Sequence, residues 1–125
     1  MRILKGMAAM LAAGMMMMAV APAAHANWLA VVAGASDQTA SAGVGWNAPT
    51  RHEAIRAAGQ GCVSDYACRV QYVWQGPGCV FVTSGTSPYT GQAKWAMGVT
   101  PQDAVNNCAN GGFVCRYPTG GCNDY

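Results

Sequence analysis

Six cysteines fall between positions 62 and 122 of this 125-residue chain, and they constrain its fold more than any other feature. They sit in matched settings. "TRHEAIRAAGQGC" runs from Thr50 to Cys62, and "TPQDAVNNC" from Thr100 to Cys108. Each segment opens on Thr, carries an acid three residues later, continues with an apolar pair and ends on Cys. A short loop, a second Cys and an Arg then follow in each case: Cys68-Arg69 after Cys62, and Cys115-Arg116 after Cys108.

The two segments read as helix starts. Thr50 with Glu53 has the spacing of a capping box, in which the Thr hydroxyl accepts from the N–H three residues on and the acid reaches back to the Thr N–H. Thr100 with Asp103 repeats it with a shorter acid. Pro101 falls on the first helical position, where a missing N–H costs nothing, and both acids favour the positive end of the helix dipole. Ala54, Ile55 and Ala58 form one stripe; Ala104, Val105 and Cys108 take the matching places. The second segment is four residues shorter, close to one helical turn, so its Cys stays on nearly the same face.

Each half therefore reads strand–strand–helix–Cys loop–strand, an internal repeat with halves of about residues 27–75 and 79–125. The repeat selects among the fifteen pairings open to six cysteines. Equivalent positions make Cys62–Cys68 and Cys108–Cys115 matching local clips, leaving Cys79 for Cys122. On the loop-entropy model each clip contributes about 2–3 kcal/mol and the long bridge about 4 kcal/mol.

The start of the chain reads as an address. Arg2 and Lys5 precede an apolar run, Gly6 to Ala21, and Ala24-His25-Ala26 has the small-x-small form cut by signal peptidases. The run is shorter than the ~20 residues of a spanning helix. Met15–Met18 are apolar filler of that leader rather than soft-metal ligands. The expectation is a signal peptide at residues 1–26 and a single domain at residues 27–125, exported to the periplasm or outside the cell. An even Cys count in a small exported chain is a disulfide framework. Without the leader, five bases (Arg51, Arg56, Arg69, Lys94, Arg116) balance five acids (Asp37, Glu53, Asp65, Asp103, Asp124). A neutral chain lacks the basic stripe that nucleic acid requires, and anionic membranes would hold it no better.

Apolar segments punctuated by Gly, Ser and Pro supply the strands. "WLAVVAG" (28–34) and "AGVGW" (42–46) read as a hairpin. "CRVQYVWQ" (68–75) alternates, with Val70, Tyr72 and Trp74 facing one way. "CVFVTS" (79–84), "AKWAMGV" (93–99) and "FVCRY" (113–117) follow, before a Gly-rich tail. The expected fold is a small disulfide-bonded α+β domain with about six mostly antiparallel strands and two short helices.

Candidates for chemistry are few. His52 is the one His after the leader and lies in the first turn of a helix. Glu53 and Asp103 are occupied as caps, and Asp37 and Asp65 lie in turns. No nucleophile motif accompanies them. The local Cys pairs are spaced too widely for zinc, and the Gly-rich turns lack the Lys of a phosphate loop. No cofactor or metal is expected. Trp28, Trp46, Trp74 and Trp95 fall on strands and read as core. Tyr66 and Tyr89 fall in loops, where aromatic anchors can form a contact surface.

Taken together, "WLAVVAG", "TRHEAIRAAGQGC", "CRVQYVW", "GCVFVTS" and "AKWAMGVT" resemble the bacterial secreted domain-of-unknown-function family 4189. The resemblance covers most of residues 27–125. The chain departs from that pattern in its shortened second helix and in carrying more cysteines than is usual. The resemblance implies an exported, disulfide-bonded α+β domain and brings no catalytic residue with it.

The functional expectation is a non-catalytic interaction module that binds an envelope or extracellular protein, an inhibitor or immunity protein being one form. A cell-wall glycan binder using exposed aromatics is the alternative, and a small hydrolase with His52 as its base comes third. The pairing scheme gives the first test. Proteolysis of the oxidised protein should release a peptide crosslinked through Cys79 and Cys122, and recovery of a Cys79–Cys108 or Cys115–Cys122 peptide would overturn the scheme.

Overall fold

A computed structural model describes residues 26–63 and 67–125. The expected signal peptide up to residue 25, together with Asp65 and Tyr66, lies outside the described residues. The first half begins with a hairpin, β1 (Trp28–Ala35) and β2 (Ala40–Ala48). Helix α1 (Arg51–Gly61) follows, and β3 (Arg69–Gln75) returns along the other edge of β1. The second half repeats the order: β4 (Gly78–Thr86), β5 (Ala93–Gly98) and α2 (Pro101–Ala109), then β6 (Val114–Cys115) and β7 (Thr119–Asn123). All the strand pairs are antiparallel.

In each half the first strand is central. The sheets run β2-β1-β3 and β5-β4 with β7 and β6 along the remaining edge of β4. Strand β7 pairs with Gly78–Val82 and β6 with Gly85–Thr86. The third strand of the second half is thus split in two, giving seven strands among the described residues rather than about six. The expected strand at 113–117 shrinks to Val114–Cys115, and the Gly-rich tail supplies β7. Glycine weakens strands, so propensity argues against one in the tail. Here it permits close approach: a Cβ on Gly121 would run into the Trp46 indole.

The sheets pack face to face, with a helix on each outer side. Leu29, Val31 and Ala33 of β1, Val44 of β2, and Val80 and Val82 of β4 form the inter-sheet core, flanked by Trp95 and Met97. The alternate β1 residues, Ala30 and Val32, turn to α1 and meet Ala54 and Ala58. Strand β1 is therefore buried on both faces, which explains why it reads as one continuous apolar run. Ala104 and Cys108 are the buried residues of α2.

Both helices begin at the expected Thr. The Thr50 hydroxyl accepts from the Glu53 N–H (3.1 Å) and the Thr100 hydroxyl from the Asp103 N–H (3.0 Å). Only this half of each box forms; neither carboxylate bonds back to its Thr. Disulfides join Cys62 to Cys68, Cys108 to Cys115 and Cys79 to Cys122. Three bridges in so small a domain belong to an oxidising environment, extracellular or periplasmic. No described helix is long and apolar enough to cross a membrane.

Asparagine side chains tie the ends of the domain together. Asn123 is buried, and its amide donates to the carbonyls of Gly76 (2.8 Å) and Asn27 (3.1 Å), while its Oδ1 accepts from the Asn47 N–H (2.7 Å). Asn47 has a left-handed φ of 58°, a conformation Asn tolerates better than most residues. Its amide donates to Asp124 (2.8 Å), and its Oδ1 accepts from Asn27 and from the Asp124 N–H.

Helix α1 lies against a glycine track on β2. A Cβ on Gly43 would overlap the Ala58 carbonyl, and one on Gly45 the Ala54 carbonyl. Gly59, in the same helix, has open space around it. Gly43→Ala should therefore lower stability by about 2 kcal/mol, as overpacking does. Gly59→Ala should raise it by about 0.5–1 kcal/mol through the helix-propensity gain. Equilibrium urea unfolding of the two variants measures both shifts, and their opposite signs check the packing directly.

Candidate functional site

Among the described residues, the acids and the His singled out in the sequence do not converge. His52 is exposed in the first turn of α1 and makes no hydrogen bond or ion pair among the described residues. Glu53 and Asp103 lie in the first turns of different helices. Among the described residues no three of His, Cys, Asp and Glu come close enough to hold a metal ion. All six cysteines are bonded.

The aromatics divide differently from the expectation that strand Trp residues are core. Trp28 and Trp95 are partly buried against the core, but Trp46 is 45% exposed and Trp74 47%. Trp46 sits at the margin of the inter-sheet core, its indole over Gly121. Trp74 lies on edge strand β3, opposite Leu29, and Tyr72 lies opposite Val31. Paired residues share a sheet face, so both aromatics stand on the same face as the buried Leu29 and Val31. The second sheet covers β1 and β2 but not β3, and the face continues into solvent as a shelf. The Trp74 indole N–H donates to the Pro77 carbonyl (2.9 Å), which fixes the ring at one end of the shelf.

Val70 does not join them. The register slips between Val31 and Val32, so Gln71 is the extra residue and Val70 faces Val32 on the opposite side. A bulge of this kind breaks the simple alternation, and the sequence carries no mark of it. Of the two loop tyrosines, Tyr89 is 89% exposed in the β4–β5 turn, its N–H donating to the Ser87 hydroxyl. Tyr66 lies outside the described residues.

A cleft of about 430 Å³ opens where the two sheets part, beyond the hydrophobic core. On β4 the inward positions Val80 and Val82 give way to Ser84 and Thr86, and both of these line the cleft. The tip of the β1–β2 hairpin, Gln38 to Ser41, forms the facing wall, with Val63 and Val114 at the rim. Arg116 completes it. The Arg116 N–H donates to the Ser84 carbonyl (2.8 Å), and its carbonyl accepts from the Thr83 hydroxyl (2.7 Å), so its backbone is held on both sides. Its guanidinium has neither a hydrogen bond nor an ion pair among the described residues. A second hollow lies on its other side, between Pro101 and Val105 of α2 and Tyr117-Pro118.

Sequence reasoning missed this cleft. The available signals were the Thr83-Ser84 step at the end of an apolar strand and the Pro118 that follows Arg116. The chain advances three residues on β4 between the pairs Val82–Thr119 and Gly85–Cys115, but four on the returning side. The extra residue and Pro118, which lacks an N–H, interrupt the third strand beside Arg116.

No curated protein and no solved structure matches the chain in comparisons with known proteins. A family model does match, over residues 28–122. That span takes in both helices and all the strands described above except the last residue of β7, and the chain belongs to the family described as Domain of unknown function (DUF4189).

Proposed function

We propose that this is an exported, non-catalytic interaction module, delivered by a signal peptide at residues 1–26 to the periplasm or the cell exterior, where it binds a protein. One observation carries the reading: the uncovered shelf of Tyr72 and Trp74 on edge strand β3. An edge strand offers unpaired backbone groups to an extended segment of another chain. The shelf beside it offers a place for that segment's apolar side chains. Arg69 is the only charge on β3, so an extended, uncharged, apolar-alternating segment fits the strand best. Trp and Tyr dominate binding energy at such contacts. Inhibition of an envelope enzyme is one use of such a surface.

The exposed aromatics also suit sugar stacking, so the test separates the two partners. The oxidised protein, immobilised, should retain a protein from its own envelope extract. The retained protein should slow amide hydrogen exchange along Val70–Gln75. Tyr72→Ser with Trp74→Ser should weaken that binding at least ~30-fold, the effect of losing a hot spot of about 2 kcal/mol. Tyr89→Ser should leave it unchanged. Retention that survives the double substitution would overturn the assignment to β3. Retention on peptidoglycan that the double substitution abolishes would replace the protein partner with glycan.

A further inference from the structure

The cleft between the sheets is independent of the β3 shelf, and its chemistry is different. Among the described residues its lining carries one cation, Arg116, and no carboxylate. Ser84 is only 9% exposed, yet its hydroxyl makes no hydrogen bond to the described residues around it. Leaving a buried hydroxyl unpaired is unfavourable. Thr83 on the same strand and Ser87 just beyond its end show the contrast: both hydroxyls are engaged. Ser84 and Arg116 are joined by a backbone hydrogen bond, and both line the cleft.

We propose that this cleft binds the carboxylate end of a peptide chain. Arg116 supplies the charge-assisted partner for the carboxylate, the pairing for which a planar guanidinium is suited. Ser84 donates its hydroxyl to the same group. The Gln38 side chain and the exposed Thr86 hydroxyl stand along the wall for the last peptide group. Val63 and Val114, both exposed at the rim, flank the position of the terminal side chain. A sugar acid would share the carboxylate. Its ring, however, would look for a stacking aromatic, and the described lining holds none.

The test is a titration of the oxidised protein followed by amide chemical shifts. The probes are N-acetyl-alanyl-valine as the free acid, the same dipeptide as its C-terminal amide, and glucuronate. The acid should shift the amides of residues 38–41, 84–86 and 114–116 with a Kd on the order of 1 mM, and the amide should bind at least ~10-fold more weakly. Arg116→Gln should abolish the difference between acid and amide. Ser84→Ala should weaken binding of the acid several-fold while melting no lower than the parent, because it removes a hydroxyl the fold does not use. Equal binding of acid and amide, no shift at ~20 mM acid, or an unchanged Arg116→Gln would overturn the proposal. Glucuronate binding more tightly than the dipeptide acid would overturn the assignment to a peptide end.

Discussion

The structure depends on how closely α1 can approach the first sheet. Gly43 and Gly45 expose bare backbone on β2, and Ala54 and Ala58 present nothing larger than a methyl group to it. With the helix seated there, β1 is covered on one side, and its alternate residues are free to face the second sheet. A bulkier residue at either contact would lift the helix and open both layers, because β1 is shared between them. The second half uses the same device. A Cβ on Gly98 of β5 would run into Asp103 and Ala104 at the start of α2. Small residues let the backbones approach, but they bury little apolar area each, and buried area is the main source of stability. The disulfides offset this shortfall by restricting the unfolded chain. The two local bridges tie each helix end to the strand segment that follows it.

The long bridge acts with the asparagine cluster. Cys79 and Cys122 face each other across β4 and β7, and Asn123, next in the chain, bonds to Gly76 and Asn27. The tail is thus held covalently to the second sheet and by hydrogen bonds to the start of the first. Without Asn123 the Gly76 carbonyl would lose its donor in a buried setting, while the Asn27 carbonyl would keep the Gly76 N–H. Such losses cost more than a hydrogen bond contributes on average.

What was legible in the sequence was local. Caps at Thr50 and Thr100, the Pro101 start and the matched Cys steps each depend on a few neighbouring residues, and the structure places helices at both. The aromatic residues show the limit of such reasoning. Alternation in "CRVQYVWQ" assigns Tyr72 and Trp74 to one face, but whether that face is covered depends on how far the other sheet extends. That is a tertiary fact with no local signature. The bulge at Gln71 went unseen for the same reason: no glycine or proline marks it. The tail failed in the opposite direction. Its glycines argue against a strand by propensity, and they are present because Trp46 and the β4 backbone come too near for side chains.

The cleft follows from the point where the two halves differ. In the first half, the residue after the second Cys, Arg69, begins a single strand that pairs with β1 from Ala33 back to Trp28, with one bulge. In the second half the matching Arg116 closes a two-residue strand, and Pro118 prevents the ladder from continuing at once. The second sheet therefore leaves a gap at the end of the core. Polar Ser84 and Thr86 occupy that end of β4 where apolar residues would have sealed it. A chain under pressure only for stability would place apolar residues there, since an unpaired buried hydroxyl destabilises. Proteins set such losses against function at the sites they use. The break in the third strand leaves on one cleft a cation and a hydroxyl that have no side-chain partner among the described residues.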